Sequence, residues 1–243
     1  MSGARWPAAT LARNANKPLE GWICATMWPT VGLQSRSRWF DELYCWTEGF
    51  AASTMQRARI QLAALAKAFA LLERERARQV GVTLSFGTVE RTLDAVTDTI
   101  EAYRLHAHRL CVLLRGQVER LRSPYRVSGF IEWLRAHQVP VGYRLAAARI
   151  GMEMRAIDFI APDFAKVIAP ASKRAEYWND FALEARAAGL RLERTIVAGI
   201  EDTAQRDLAR GSGFGFGQGH ALRAPYDPPS TGTRAGAGAL VMD

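Results

Sequence analysis

Short apolar runs alternate with amphipathic stretches along most of this 243-residue chain. The apolar runs predict five strands, at 82–86, 109–114, 141–147, 164–168 and 192–197. The amphipathic stretches predict four helices, at 55–79, 89–105, 128–137 and 173–188, and the acidic turn at Glu201 and Asp202 opens a fifth. The glycine-rich run 211–219 predicts the penultimate strand of the barrel. Strands that alternate with helices indicate parallel strands joined by crossover helices. The pattern therefore predicts an α/β fold that closes as a (β/α) barrel.

Composition changes at both ends of the chain. The first twenty residues are rich in Ala, Asn and Arg, and residues 226–243 are rich in Pro, Gly, Ser and Thr. Such segments cannot bury enough apolar surface to pack. The sequence therefore predicts a disordered leader at 1–20, one barrel domain at 21–225 and a disordered tail at 226–243.

The chain carries a formal net charge of +8, with its arginines spread along the whole length. This spread is typical of a solvated surface, and it favours an acidic protein partner over nucleic acid. The three cysteines, Cys24, Cys45 and Cys111, fit neither a disulfide framework nor a zinc site. No apolar run is long enough to cross a bilayer, and no secretory signal begins the chain, so we expect a cytoplasmic protein with no membrane contact.

The closing portion of the chain carries two motifs, Val197-Ala198-Gly199-Ile200-Glu201 and the run from Gln218-Gly219 to Pro225. They resemble the VAEGVET and QGYLFSRP motifs of EAL-type cyclic di-GMP phosphodiesterase domains, which are modified TIM barrels. The resemblance places the catalytic glutamate at Ala198 and keeps Glu201 and Gln218. The preceding segment is a few residues longer than in the family, so Glu193 is an alternative acid near the barrel mouth.

Three further segments resemble motifs of the same family. The run from Phe40 to Trp46 is similar to YEALLRW, which puts Asp41 at the metal-binding glutamate and Cys45 at an arginine that contacts phosphate. Val82-Thr83-Leu84-Ser85 is similar to VNLS, which puts Thr83 at a metal-binding asparagine. The run 109–114 is similar to RLVLEI, which puts Leu113 at a ligand glutamate.

The last two resemblances concern strand ends in the second half of the barrel. The run 141–151 is similar to GVRLALDDFG, so the paired aspartates that bridge the metals fall on Ala148 and Arg149. The run 162–168 is similar to PDYLKID, which keeps Lys166 as the lysine that positions water and puts Ile168 at an aspartate. The resemblance thus implies vestigial site residues at Asp41, Lys166, Glu201 and Gln218, and lost ones at Thr83, Leu113, Ala148, Arg149, Ile168 and Ala198.

These replacements change the expected chemistry. Two-metal phosphodiester hydrolysis needs carboxylates, because magnesium and manganese are hard cations that prefer oxygen ligands. Apolar residues and Arg149 at the ligand positions predict no metal, no cofactor and no hydrolysis. We also predict that Arg149 either pairs with Asp41 across the barrel mouth or points to solvent.

The favoured interpretation is a catalytically inactive, EAL-like regulatory protein of bacterial signalling, acting on gene expression, motility or biofilm by binding a macromolecular partner. The alternative is a non-hydrolysing receptor for cyclic di-GMP, in which Arg144, Arg115 or Arg149 replaces the arginine missing at Cys45. A residual phosphodiesterase is a third interpretation. The resemblance further implies a homodimer formed through helices beside the mouth.

Overall fold

A computed structural model describes residues 4–7, 22–47, 53–74, 77–145 and 150–228. The strands are β1 Ala4–Pro7, β2 Trp22–Gly32, β3 Arg38–Thr47, β4 Val80–Ser85, β5 Leu110–Arg115, β6 Val141–Arg144, β7 Phe164–Ile168, β8 Thr195–Ala198 and β9 Phe216–Gln218. The α-helices are α1 Thr54–Glu73, α2 Phe86–Ala102, α3 Pro124–Ala136, α4 Met154–Ile160, α5 Ala175–Ala187 and α6 Thr203–Gly211.

Strands β2 to β9 form a closed eight-stranded barrel. Neighbouring strands from β3 to β9 pair in parallel, whereas β2 is antiparallel to both β3 and β9. The β2–β9 seam that closes the barrel consists of two residue pairs, Val31 with Gly217 and Gly32 with Phe216. The predicted α/β barrel is therefore confirmed, but the expectation of parallel strands throughout is wrong for β2.

The barrel interior contains a separate apolar cluster below the strand ends. Phe40, Cys111, Leu113, Phe164 and Ile196 are buried in it. Two glycines make room for its rings, because a Cβ at Gly81 would lie 2.5 Å from the Phe40 ring and a Cβ at Gly142 would lie 2.4 Å from the Phe164 ring. The larger core lies between the outside of the barrel wall and the helices that cover it.

The predicted helices and strands are present with shifted ends. Helix α1 begins after a Ser53–Gln56 capping box, as its sequence predicts, but ends at Glu73 rather than near residue 79. Strand β6 ends at Arg144, before the predicted end at 147. Helix α4 was not predicted, because its seven residues are too few to show a clear helical period.

The chain ends also differ from the prediction. Within the predicted leader, Ala4–Pro7 form β1, which pairs antiparallel with β2, and the other leader residues lie outside the described part. At the predicted boundary of the tail, Tyr226 exchanges backbone hydrogen bonds with Met27, so the ordered structure continues beyond residue 225. Residues 229–243 lie outside the described part.

None of the described helices has the length and apolar character needed to span a bilayer, and the cytoplasmic location stays a prediction.

Candidate functional site

The carboxyl ends of the parallel strands bring a small charged cluster together inside the barrel. Glu42 on β3 and Lys166 on β7 are buried and form an ion pair. The hydroxyl of Thr83 on β4 donates a hydrogen bond of 2.8 Å to the other oxygen of the Glu42 carboxylate. Three strands that are distant in sequence thus contribute one connected network directly above the apolar cluster.

Burial and mutual attraction act in opposite directions on this ion pair. Burial alone would raise the pKa of Glu42, but the Lys166 ammonium, helped by Arg144 and the Thr83 hydroxyl, holds that pKa below its usual value of 4.5. Burial lowers the pKa of Lys166, and the Glu42 carboxylate offsets this effect only in part. The carboxylate is therefore ionised, and its charge is largely neutralised by the lysine beside it.

The structure places Glu42, rather than Asp41, in the interior site. Successive residues of a strand point to opposite faces, so a shift of one residue moves the carboxylate out of the cluster. Asp41 pairs with Arg38 and accepts a hydrogen bond of 2.9 Å from the Tyr226 hydroxyl. Glu42 rather than Asp41 therefore belongs to the buried cluster, and the correspondence of Asp41 to the metal-binding glutamate stays a prediction.

A cavity of about 300 Å³ opens above the cluster, at the barrel mouth. Several residues singled out from the sequence line it, namely Lys166, Ile168, Ala198, Glu201 and Gln218. Glu193 precedes β8 at the opposite end of the barrel, so the alternative placement of an acid there near the mouth is wrong.

The Gln218-Gly219 motif fixes the wall of this cavity. The Gln218 amide nitrogen donates to the Thr30 hydroxyl at 2.7 Å, and its backbone oxygen accepts from the amides of Gly199 and Ile200. Gly219 has a φ of 151°, and a Cβ there would lie 2.1 Å from the Ile200 carbonyl oxygen. The structure therefore explains the glutamine and the glycine at these positions without any catalytic role.

Two arginines lie beside Tyr44 at the mouth. The Arg144 guanidinium carbon is 5.0 Å from the centre of the Tyr44 ring, and Arg115 lines the same recess next to Thr83. Among the described residues, neither arginine forms an ion pair with a carboxylate. Burial, followed by repulsion from Arg144, lowers the pKa of Arg115. The two guanidinium groups thus line one recess and repel each other, and the carboxylate that acts on both, Glu42, forms its ion pair with Lys166.

Three residues that the resemblance places at ligand positions carry no oxygen or nitrogen in their side chains. Leu113 is buried in the apolar cluster, and Ile168 and Ala198 offer no donor atom at the mouth. Glu42 already has Lys166 and Thr83 as partners, and no group of three potential ligand residues exists in the described part of the chain. Ala148 and Arg149 lie outside the described residues, so the proposed pairing of Arg149 with Asp41 stays a prediction.

Three residues of the site have no role predicted from the sequence. They are Glu42, Trp28 and His220, of which His220 contacts the Glu201 carboxylate at 2.7 Å and the Trp28 ring edge-on. Tyr44 is among the aromatic residues near the first strand that the sequence offers for stacking on a guanine base. The alternation of Phe40, Glu42 and Tyr44 on β3 was a signal that could have identified Glu42. Cys45, at the lost arginine position, is partly buried, and burial raises the pKa of its thiol to about 12.

Solved structures resemble this chain, although no protein-family model and no curated protein matches its sequence. The PaMucR phosphodiesterase in complex with c-di-GMP shares 15% identity over 84% of this chain and 92% of that chain, with a TM-score of 0.63. The EAL domain of Mycobacterium smegmatis DcpA shares 13% identity over 85% and 94%, with a TM-score of 0.64. Bacillus subtilis YkuI, solved with c-di-GMP and calcium, shares 12% identity over 84% and 56%, with a TM-score of 0.61. The chain therefore has the fold of EAL domains.

Proposed function

We propose that this chain is a non-hydrolysing EAL-like domain that binds a phosphodiester ligand of the cyclic dinucleotide class at its barrel mouth. The observation that carries the proposal is the pair of guanidiniums, Arg115 and Arg144, that line one recess beside the Tyr44 ring and form no ion pair with a carboxylate among the described residues. Structural neighbours solved with c-di-GMP support the choice of ligand class. The proposal makes the receptor interpretation, which came second on sequence alone, the leading one.

Charge supports an anionic ligand rather than a metal cation. Lys166 and Arg144 line the mouth cavity, and Arg115 lines the recess beside it. The nearby carboxylate, Glu42, already forms an ion pair with Lys166. An anion placed between the two arginines would relieve their mutual repulsion, whereas a divalent cation there would increase it. Arginine also presents a planar fork of donors that matches two phosphate oxygens.

The shape of the mouth supports a ligand with flat rings. Trp28 and Tyr44 lie on the wall of the cavity, and Leu145 and Ile168 add apolar surface. Aromatic faces stack on purine bases, and arginines hold the phosphates that link them. Phosphodiester cleavage in this fold family is metal-dependent, and the ligand positions here carry Thr83, Leu113, Ile168 and Ala198. We therefore propose recognition without turnover.

The decisive experiment is calorimetric titration with c-di-GMP in magnesium and, separately, in EDTA. Equal affinity in both, with no linear dinucleotide formed on prolonged incubation, is the expected result. Replacing both arginines, Arg115→Gln and Arg144→Gln, should weaken binding by about tenfold or more, because charge-assisted hydrogen bonds are lost. Arg91→Gln, on the exposed surface of α2, is the matched control and should bind as the wild type does. Magnesium-dependent turnover, or no binding at all, would overturn the proposal.

We propose in addition that the domain acts as a regulatory protein through a protein partner. The dense positive charge of the chain and a second arginine-lined surface, described next, support this role. A homodimer formed beside the mouth stays a prediction, which the mass of the protein in solution would test.

A further inference from the structure

Four arginines surround a groove on the outer surface of the barrel, away from the mouth. We name it the arginine groove: its rim consists of Arg36, Arg206, Arg210 and Arg223, and its volume is about 270 Å³. Its floor includes Val31 and Leu33, which are largely buried, and the partly exposed Leu222, which supplies most of the accessible apolar surface of these three. The rim draws on three separate elements, namely the β2–β3 turn, α6 and the segment that follows β9.

Positive charge in the arginine groove is far from balanced. Asp207 contacts Arg206 at 3.0 Å and Arg210 at 3.5 Å. Within the described part of the chain, Arg36 and Arg223 form no ion pair. One exposed carboxylate therefore pairs with two of the four guanidiniums, and an exposed ion pair of this kind contributes little to stability. The arrangement leaves donors available to an incoming anion.

Arg36 adopts a backbone conformation that is unfavourable for arginine. Its φ is 55°, in the left-handed region that glycine and asparagine adopt most readily. The tight turn holds it there, since the Gly32 amide donates to the Ser37 carbonyl at 2.8 Å and the Arg36 amide donates to the Gly32 carbonyl at 2.9 Å. A side chain kept at a strained position, with no partner among the described residues, points to a role outside the fold.

We propose that the arginine groove binds an acidic segment of a protein partner that also carries an apolar anchor residue. Carboxylates would pair with the guanidinium forks, and an aliphatic or aromatic side chain would cover the floor of Val31, Leu33 and Leu222. A nucleic-acid backbone would satisfy the arginines but would leave this apolar floor uncovered. Charge complementarity together with the apolar floor therefore favours an acidic peptide.

This surface is independent of the ligand proposed at the mouth. None of the rim or floor residues lines the mouth cavity, which is formed by the opposite face of the strands. Variants of the arginine groove should therefore leave c-di-GMP binding unchanged. Failure of one proposal leaves the other intact.

Fluorescence anisotropy with a labelled peptide of alternating Glu and Leu tests the proposal directly. The double variant Arg206→Gln/Arg210→Gln should weaken peptide binding by about tenfold, since two of four guanidiniums are lost. The control variant Arg91→Gln/Arg104→Gln removes the same net charge from exposed positions elsewhere and should bind like the wild type. A peptide with Lys in place of Glu should not bind, and added salt should weaken the interaction.

The variant Arg36→Gly tests peptide binding separately from the stability of the fold. Glycine suits the left-handed turn, so this variant should keep or raise thermal stability while peptide affinity falls several-fold. Three results would overturn the proposal: no peptide binding, equal losses in the control variant, or a single-stranded oligonucleotide that binds more tightly than the peptide and loses affinity in the same groove variants.

Discussion

Phe40 and Glu42 are two residues apart on β3, and Phe164 and Lys166 are two residues apart on β7. In both strands the first residue belongs to the apolar cluster and the second to the buried ion pair. A single two-residue step toward the strand ends thus changes the barrel interior from close-packed rings to paired charges. The lower half supports the barrel by packing, whereas the upper half keeps polar groups in a position where a ligand can use them.

This difference explains how the chemistry of the mouth can change while the fold persists. Lower-half residues contact each other across the barrel, as the ring centroids of Phe40 and Phe164, 5.7 Å apart, illustrate. The two buried charges of the upper half, on Glu42 and Lys166, depend on each other, and loss of either leaves the other buried without its counter-ion. The two halves should therefore respond differently to substitution and to pH.

The largest effect is expected from Lys166→Met. It leaves the Glu42 carboxylate buried without its counter-ion, and we expect a loss of about 3–5 kcal/mol in the free energy of unfolding. Urea denaturation monitored by tryptophan fluorescence measures this loss. The double variant Glu42→Met/Lys166→Met removes both charges and should recover most of the stability. A double variant as unstable as Lys166→Met would contradict the explanation by charge.

A smaller effect is expected from Gly142→Ala in the lower half. The new methyl group would lie 2.4 Å from ring carbons of Phe164, so the ring must move within a closed cluster. Overpacking of this kind typically costs about 1–3 kcal/mol.

Gly129→Ala on α3 is the matched control for this substitution. No atom lies within 4 Å of its added Cβ, and alanine favours a helix by about 0.5–1 kcal/mol over glycine. The same denaturation experiment should thus give opposite signs for the two variants. Equal signs would contradict the assignment of Gly142 to a crowded interior.

The smallest effect concerns pH. Because the folded-state pKa of Glu42 lies below 4.5, its contribution to stability is complete above that value and is lost as pH falls through the folded pKa. Urea denaturation in steps from about pH 7 to about pH 3 should show a shallower acid loss in Glu42→Met/Lys166→Met than in the wild type. Gly142→Ala should keep the slope of the wild type. Parallel slopes in all three proteins would show that the pair does not contribute to acid sensitivity.

The barrel itself could be predicted from the sequence, because the apolar runs at 110–114, 164–168 and 195–197 and their helices follow simple periods. The two closing motifs lie at the mouth, as the resemblance implies, where Ala198 and Gln218 pair across β8 and β9. Helix α4 and strands β1 and β2 were not predicted, and β3 was located only through its motif. The first is too short for a period to show, and an antiparallel β2 is an exception to the alternation.

The candidate site was predicted less well, for one physical reason. Asp41 and Glu42 are adjacent acids, and motif matching cannot tell which of them points inward, whereas a one-residue shift in a strand exchanges the faces. Lys166 lines the mouth cavity and pairs with Glu42, while its correspondence to the family's lysine stays a prediction. Arg115 and Arg144 come together because β5 and β6 are neighbours in the sheet, whereas the sequence identifies them only as separate candidate arginines.

The short seam between β2 and β9 has a consequence for synthesis. Because β2 is made early and β9 late, every other wall strand must leave the ribosome before the ring of hydrogen bonds can close. During translation the free edge of β2 would present unpaired amides and carbonyls to other nascent chains. The segment from Gly219 to Tyr226 returns along β2 to Met27, so it is synthesised last and then covers part of that edge.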